Sequence, residues 1–206
     1  MGWWTEKVVP HLTDAALAKP EVMALRADVC RGLSGEVVEI GFGSGLNLGV
    51  LPDQVRSVAA IEPNDLGWQR SSARRRDSTV PVTRSGLDGE ALDAADASFD
   101  NALCTFTLCT VPDAARAIAE LRRVLRPGGA LHFLEHGLAP EPQVARMQRR
   151  LDPVQRIVFG GCNLSRDVPA LLRAGGFAVS CQPIRIMPAK VMSPWAEGFL
   201  GRAVRD

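Results

Sequence analysis

"VVEIGFGSGLNL", residues 37–48, is an apolar run that breaks into Gly41, Gly43 and Gly45, spaced two apart. A strand that ends in glycines and opens a helix brings backbone N–H groups and a helix N-terminus to a ligand. A tight strand-to-helix turn without a ligand carries the same glycines, so the loop alone is a weak signal. Spacing separates the candidate ligands. A dinucleotide loop reads G-x-G-x-x-G and lays its helix on a pyrophosphate. Here the pattern is G-x-G-x-G, with acidic Glu39 just ahead of it. A carboxylate there suits a cation and opposes a pyrophosphate.

On either side of this loop, short β-rich runs alternate with helical patterns. Strands are expected over 36–40, 57–62, 80–84, 99–104, 130–135 and 177–182, and helices over 45–51, 64–76 and 113–125. Strand, helix, strand at this spacing predicts an α/β fold, a parallel sheet covered on both faces. The 113–125 helix is the clearest. Ala117, Ile118, Leu121, Val124 and Leu125 make one apolar stripe, and Arg116, Glu120, Arg122 and Arg123 turn to solvent. "RPGG" at 126–129 stops it. Proline and glycine at 137–142 and 160–161 bracket a further helix, 143–159, which reads as a cap inserted at 137–165. Its Met147, Leu151, Val154, Ile157 and Val158 can form an apolar face over the site. Residues 1–34 precede the sheet as a helical segment, with Trp3, Trp4, Val8 and Val9 giving it an apolar side. We expect it to act as a lid, the alternative being a simple packing helix.

The bulk numbers set limits. The 206 residues fit one domain. A net charge of +1 gives no electrostatic case for nucleic acid or an acidic membrane. The five cysteines are scattered and form no CxxC pair, which predicts neither a metal site nor a disulfide framework. The simple setting is reduced and cytoplasmic. No signal peptide and no apolar run long enough to span a membrane stand out, so no membrane anchor is expected. The expected partner is a small molecule, and the sequence says nothing of the oligomeric state.

Two further strand ends carry carboxylates. Glu62 follows the second strand, 21 residues after Gly41, where it can accept both hydroxyls of a ribose. Asp88 follows the third and can take an exocyclic adenine amine, or simply cap its own loop. "EIGFGSG" (39–45), "IEPN" (61–64), "DGEALDAADASFD" (88–100) and "RVLRPGGALHFLEH" (123–136) together resemble the motifs of class I S-adenosylmethionine-dependent methyltransferases. The resemblance implies a Rossmann-like, seven-stranded, mostly parallel sheet with one antiparallel strand near the C-terminus. It implies that Glu39, Gly41, Gly43, Gly45 and Asn47 meet the methionine end of S-adenosylmethionine. Glu62 with Pro63 would meet the ribose, Asp88 with Gly89 the adenine, and Cys104 and Thr105 would border the sulfonium. "CTFTLCTVPD" (104–113), "FLEHG" (133–137) and "LDPVQRIVFGGCNLSR" (151–166) are similar to a narrower group of small bacterial methyltransferases and microsomal alkyl-thiol S-methyltransferases.

Methyl transfer is an in-line displacement in which the protein mainly supplies alignment. A base is needed only when the acceptor carries a proton. A thiol, with a pKa of about 8.5, is partly ionised near neutrality and asks for little machinery. Of the histidines, His11 lies in the N-terminal segment and His132 inside the fifth strand, whereas His136 lies past that strand's carboxyl end. His136 is the candidate base, with Glu135 available to orient it and a structural role as the alternative. Cys162, Asn163 and Arg166 are candidates for the acceptor side, Cys162 suiting a buried turn equally well. A small apolar thiol is the expected acceptor. A quinol, phenol, amine or lipid headgroup follows it, and a cofactor-binding module without catalysis is the other class of reading.

Overall fold

The computed structural model describes residues 14–187 and 194–206. Trp3, Trp4, Val8, Val9 and His11 lie outside the described residues.

Seven strands form one sheet: β1 (Gly35–Ile40), β2 (Val55–Ile61), β3 (Val82–Gly86), β4 (Phe99–Thr105), β5 (Leu125–His136), β6 (Phe177–Arg185) and β7 (Glu197–Arg205). Their order is β3-β2-β1-β4-β5-β7-β6. Every pairing is parallel except those of β7, which runs antiparallel to both β5 and β6. The expected fold class is borne out, with the antiparallel strand at the C-terminus.

Alternation along the central strands feeds two cores. Val38, Ile40, Cys104 and Phe133 face one side, covered by helix α4 (Ala114–Val124) and helix α6 (Val168–Ala174). Val37, Leu103 and Leu134 face the other, covered by helix α1 (Pro20–Cys30) through Val29, Cys30 and the following Leu33. Hence α1 is a fixed layer of the core, while residues 1–13 of the expected 1–34 lid lie outside the described residues.

Three local expectations need correction. The stretch after the glycine loop is a five-residue 3-10 turn, Leu46–Val50, and offers no regular helix N-terminus. The single helix expected over 64–76 is two, α2 (Asp65–Arg70) and α3 (Ser72–Asp77). Buried Ser71 sits at the break and donates its hydroxyl to the Trp68 carbonyl at 2.7 Å, so a side chain competes with the helical ladder. The cap helix α5 (Pro142–Val158) is present, but it buries Val144, Ala145, Gln148, Asp152 and Gln155. Val154 and Ile157, expected on its inner face, are 62% and 75% exposed.

Register aligns the carboxyl ends of the strands. Ile40 lies beside Ile61 on β2 and Cys104 on β4, and Thr105 lies beside Leu134 on β5. The glycine loop, Glu62, the loop after Thr105, and His136 therefore leave the sheet along one edge, where ligands of open α/β sheets bind.

Candidate active site

All three loop glycines have left-handed backbone, with φ of 75°, 57° and 74° at Gly41, Gly43 and Gly45. Gly41 also has no room for a side chain, because a Cβ there would collide with Thr107 on the loop after β4. At Gly43 the nearest atom to such a Cβ among the described residues is the Gly41 carbonyl oxygen at 3.9 Å, an ordinary contact, so the middle glycine is not crowded. The loop is tied down from β2: Gly41 N–H donates to the Ile61 carbonyl at 2.9 Å, and Gly43 N–H to Glu62 Oε2 at 2.6 Å.

A buried polar group lies beneath the loop. Asn47 Nδ2 donates to Glu39 Oε1 at 2.7 Å and to Thr105 Oγ1 at 3.1 Å. Arg26 Nη1 donates to Asn47 Oδ1 at 2.7 Å and to Thr105 Oγ1 at 2.8 Å, and its guanidinium lies 5.3 Å from the centre of the Phe106 ring. Burial pushes the Glu39 carboxyl up to about 8, against the pull of its Asn47 bond and of Arg26. Glu39 Oε2 is buried with no hydrogen-bond partner among the described residues. A buried acceptor left over beside an uncrowded glycine is the fit expected for a ligand that brings a cationic amine. Arg26 was not singled out in the sequence. Its signal was a lone charge on the Val22, Arg26, Val29 stripe of α1.

Glu62 is 5% exposed, and its Oε1 accepts the Asn64 N–H at 2.7 Å. Burial raises its pKa, and its two backbone hydrogen bonds oppose that rise. Pro63 beside it is exposed. Asp88 is exposed, and its Oδ1 caps the loop by accepting the Glu90 N–H at 2.8 Å. Gly89 presses on the end of β1, where a Cβ would lie 2.6 Å from Ile40 Cγ2.

On the acceptor side, Glu135 has a role the sequence reading missed. It is fully buried, and burial raises its pKa. Its Oε1 accepts the Thr107 and Leu108 N–H groups at 2.8 and 3.0 Å and the Cys104 thiol at 3.1 Å. Its Oε2 accepts the Cys109 N–H at 3.0 Å. Both oxygens thus hold the 107–109 loop, so the expectation that Glu135 orients His136 is corrected. The Cys104 thiol points into the core toward Glu135, which leaves only its backbone to border a ligand.

The "GGCNLSR" turn docks on that same loop. Asn163 N–H donates to the Cys109 carbonyl at 2.9 Å. Arg166 Nη1 donates to the Leu108 and Val111 carbonyls at 2.6 and 2.7 Å, so that nitrogen fastens the turn. The outcome is that Cys162 meets Cys109, with His136 beside them. The hydrogen bond between the two thiols lowers the pKa of Cys162, against its burial and with help from His136, and raises that of Cys109, which burial raises further. All five cysteines are free thiols.

A family profile described as a methyltransferase domain matches residues 38–133. The chain is 34% identical over 182 residues to human thiol S-methyltransferase TMT1B, covering 84% of this chain and 73% of that protein. It is also 34% identical over 154 residues to human thiol S-methyltransferase TMT1A, covering 71% of this chain. Here it spans 62% of the relative's length. A solved structure from Thermotoga maritima, a SAM-dependent methyltransferase described as a possible histamine N-methyltransferase, superposes with a TM-score of 0.70. It covers 98% of both chains at 20% identity, which bears on the fold alone. No helix among the described residues is long and apolar enough to cross a membrane. The sequence likeness adds what a shared fold does not: this chain belongs to the class I S-adenosylmethionine-dependent methyltransferases, and S-adenosylmethionine is its cofactor.

Proposed function

We propose that the chain methylates the sulfur of a small apolar thiol. One observation carries this reading. A single loop, 106–109, packs against the glycine loop through Thr107 and against the Cys162 turn through Cys109. Donor and acceptor regions therefore share a wall. The thiol S-methyltransferase relatives support the choice of acceptor.

Bound S-adenosylmethionine supplies an electrophilic methyl on its sulfonium. Glu39, Gly41, Gly43, Gly45 and Asn47 hold its methionine end in this proposal, Glu39 through the oxygen that has no partner among the described residues. Glu62 and Pro63 take the ribose, and Asp88 and Gly89 the adenine. Thr105 and the Cys104 backbone border the sulfur. On the acceptor side, Phe106 lies 5.2 Å from the His136 ring, centre to centre, and Leu151 packs on Cys109, Cys162 and Leu164. These residues, and not the outer face of α5, give the acceptor an apolar wall. His136 accepts the thiol proton, with Cys162, Asn163 and Arg166 shaping the pocket around it.

A transfer assay with an alkyl-thiol, phenol and amine panel tests this. S-methyl products with the apolar thiols are expected. Transfer to phenols or amines alone would overturn the thiol assignment. S-adenosylhomocysteine binding without turnover on any acceptor would favour a cofactor-binding module.

A further inference from the structure

Cys109, His136 and Cys162 each present a donor atom, and the three lie within 4.8 Å of one another. They come from three elements: the loop after β4, the end of β5, and the turn after α5. The loop and the turn are fastened to one another as well as to the rest of the fold. Glu135 and the Asn163 N–H hold the Cys109 backbone from opposite sides. Arg166 ties the turn to Leu108 and Val111. Asp152 anchors it further, accepting the Leu164 N–H at 2.7 Å and the Ser165 hydroxyl. Cys109 and Cys162 are 1% and 8% exposed, and His136 Nδ1 is buried without a hydrogen-bond partner among the described residues. Two buried cysteines on their own are ordinary small apolar residues. A convergent imidazole with an unsatisfied buried nitrogen is not, because leaving such a group unpaired is destabilising.

We propose that Cys109, His136 and Cys162 form a three-donor site for a thiophilic divalent cation of the zinc class. Two sulfurs and an imidazole nitrogen are the donor set that zinc selects. Bonds of about 2.0–2.3 Å place donors on a tetrahedral zinc roughly 3.3–3.8 Å apart, so side-chain rotation of about 1 Å closes the set. Two thiolates and a neutral imidazole balance the charge of the cation, and the displaced thiol protons go to solvent. The sequence hid this site. Its ligands are single residues more than twenty positions apart, with no CxxC spacing between them. Three protein donors leave a fourth position open, as in catalytic rather than structural zinc sites. A thiol entering that position would bind as the thiolate and release its proton to solvent; His136 would act as a ligand when the metal is bound and as the base in the metal-free chain. This use of the open position rests on the thiol-transfer reading; the site itself does not.

Titration of the reduced, metal-free full chain with cobalt(II) alone tests the site. The expected result is saturation at one equivalent, with a thiolate-to-cobalt charge-transfer band and tetrahedral d–d absorption, both removed by zinc. Cys109→Ser and Cys162→Ser should each abolish the charge-transfer band or cut affinity more than tenfold, while Cys30→Ser should retain it. Thermal melts confirm that each variant is folded, and His136→Asn supplies a further variant if a cysteine change unfolds the chain. Absence of the band in folded, reduced wild type would overturn the site, as would a band indifferent to Cys109→Ser, Cys162→Ser and His136→Asn. Failure of thiol transfer with the cobalt signal intact would instead fault the proposed reaction.

Discussion

Helices α4 and α5 carry the same kind of pattern, apolar residues at helical spacing among arginines, yet α5 buries polar side chains alongside its inner Val144 and Ala145. α4 buries Ala117, Ile118, Leu121 and Val124. α5 turns Gln148, Asp152 and Gln155 inward and leaves Val154 and Ile157 in water. What lies beneath explains the difference. α4 covers strands whose N–H and C=O groups are paired within the sheet, so the surface it meets is side chains. α5 covers loops, whose backbone groups need partners. Gln148 accepts the Ala139 N–H at 2.8 Å and donates to the Gly137 and Pro194 carbonyls at 3.0 Å each. Asp152 serves Leu164 and Ser165, and Gln155 accepts the Trp195 indole N–H at 2.9 Å. An apolar stripe marks the inner face of a helix only where the helix lies on regular structure.

The largest expected effect separates the two regions by pH. On the α4 side the Arg123 hydrogen bond lowers the pKa of the half-buried Glu120, a shift opposite in sign to those at the carboxyl edge. At the carboxyl edge, burial raises the pKa of Glu39, Glu62 and Glu135. For Glu39 the rise is from 4.5 to about 8. A carboxyl that holds its proton more tightly folded than unfolded stabilises the fold at low pH. That contribution is complete below about pH 4.5 and is lost as pH rises through about 8. At roughly 1.4 kcal/mol per pKa unit, the ceiling for Glu39 is about 5 kcal/mol. Melting temperature of the cofactor-free chain should therefore fall between pH 5 and 9, and Glu39→Gln should flatten the slope. A wild-type profile that rises or stays level across this window would remove buried carboxyls from the account.

Next comes a pair of substitutions. Leu121→Ala on α4 leaves a cavity in a fully buried site and should cost about 2–5 kcal/mol. For a chain of this size each kcal/mol lowers the melting temperature by roughly 2–4 °C. Gln148→Leu on α5 adds apolar surface at a fully buried position, which a stripe-based reading would take as stabilising. It removes three hydrogen bonds to loop backbone instead, and should cost about 1–3 kcal/mol, since water can reach part of the opened loop. Denaturant melts decide the sign, and stabilisation by Gln148→Leu would break the contrast between the helices.

The same contrast governs what could be read from sequence. Six strands were legible because β-branched and apolar residues cluster where a two-sided buried sheet needs them. β7 was reached only through family resemblance. Its pattern is interrupted by Gly198 and Gly201, and at Gly201 a Cβ would collide with Cys181 on the neighbouring strand. Glu39, Glu62 and Asp88 stood out because each sits beside a strand end. Arg26 and the inward role of Glu135 did not, because both act on groups contributed by distant segments. Cys109, His136 and Cys162 converge only after the cap has docked.

The smallest expected effect sharpens the contrast furthest. Val154 and Ile157 were expected to wall the acceptor pocket, and they are exposed on the outer face of α5. A Val154→Ser, Ile157→Ser double variant removes two branched side chains with little packing to lose. Exposed positions of this kind usually change stability by less than about 0.5 kcal/mol. The helix keeps its buried anchors, so the 160–166 turn should stay in register and thiol transfer should proceed with unchanged KM and kcat. Melting and steady-state kinetics on the same preparation separate the outcomes. A loss of stability beyond 1 kcal/mol would show that this face is covered in solution. Unchanged stability with a raised KM for apolar thiols alone would return the outer face to the acceptor's path, and the polar inner face would then no longer account for the orientation of the cap.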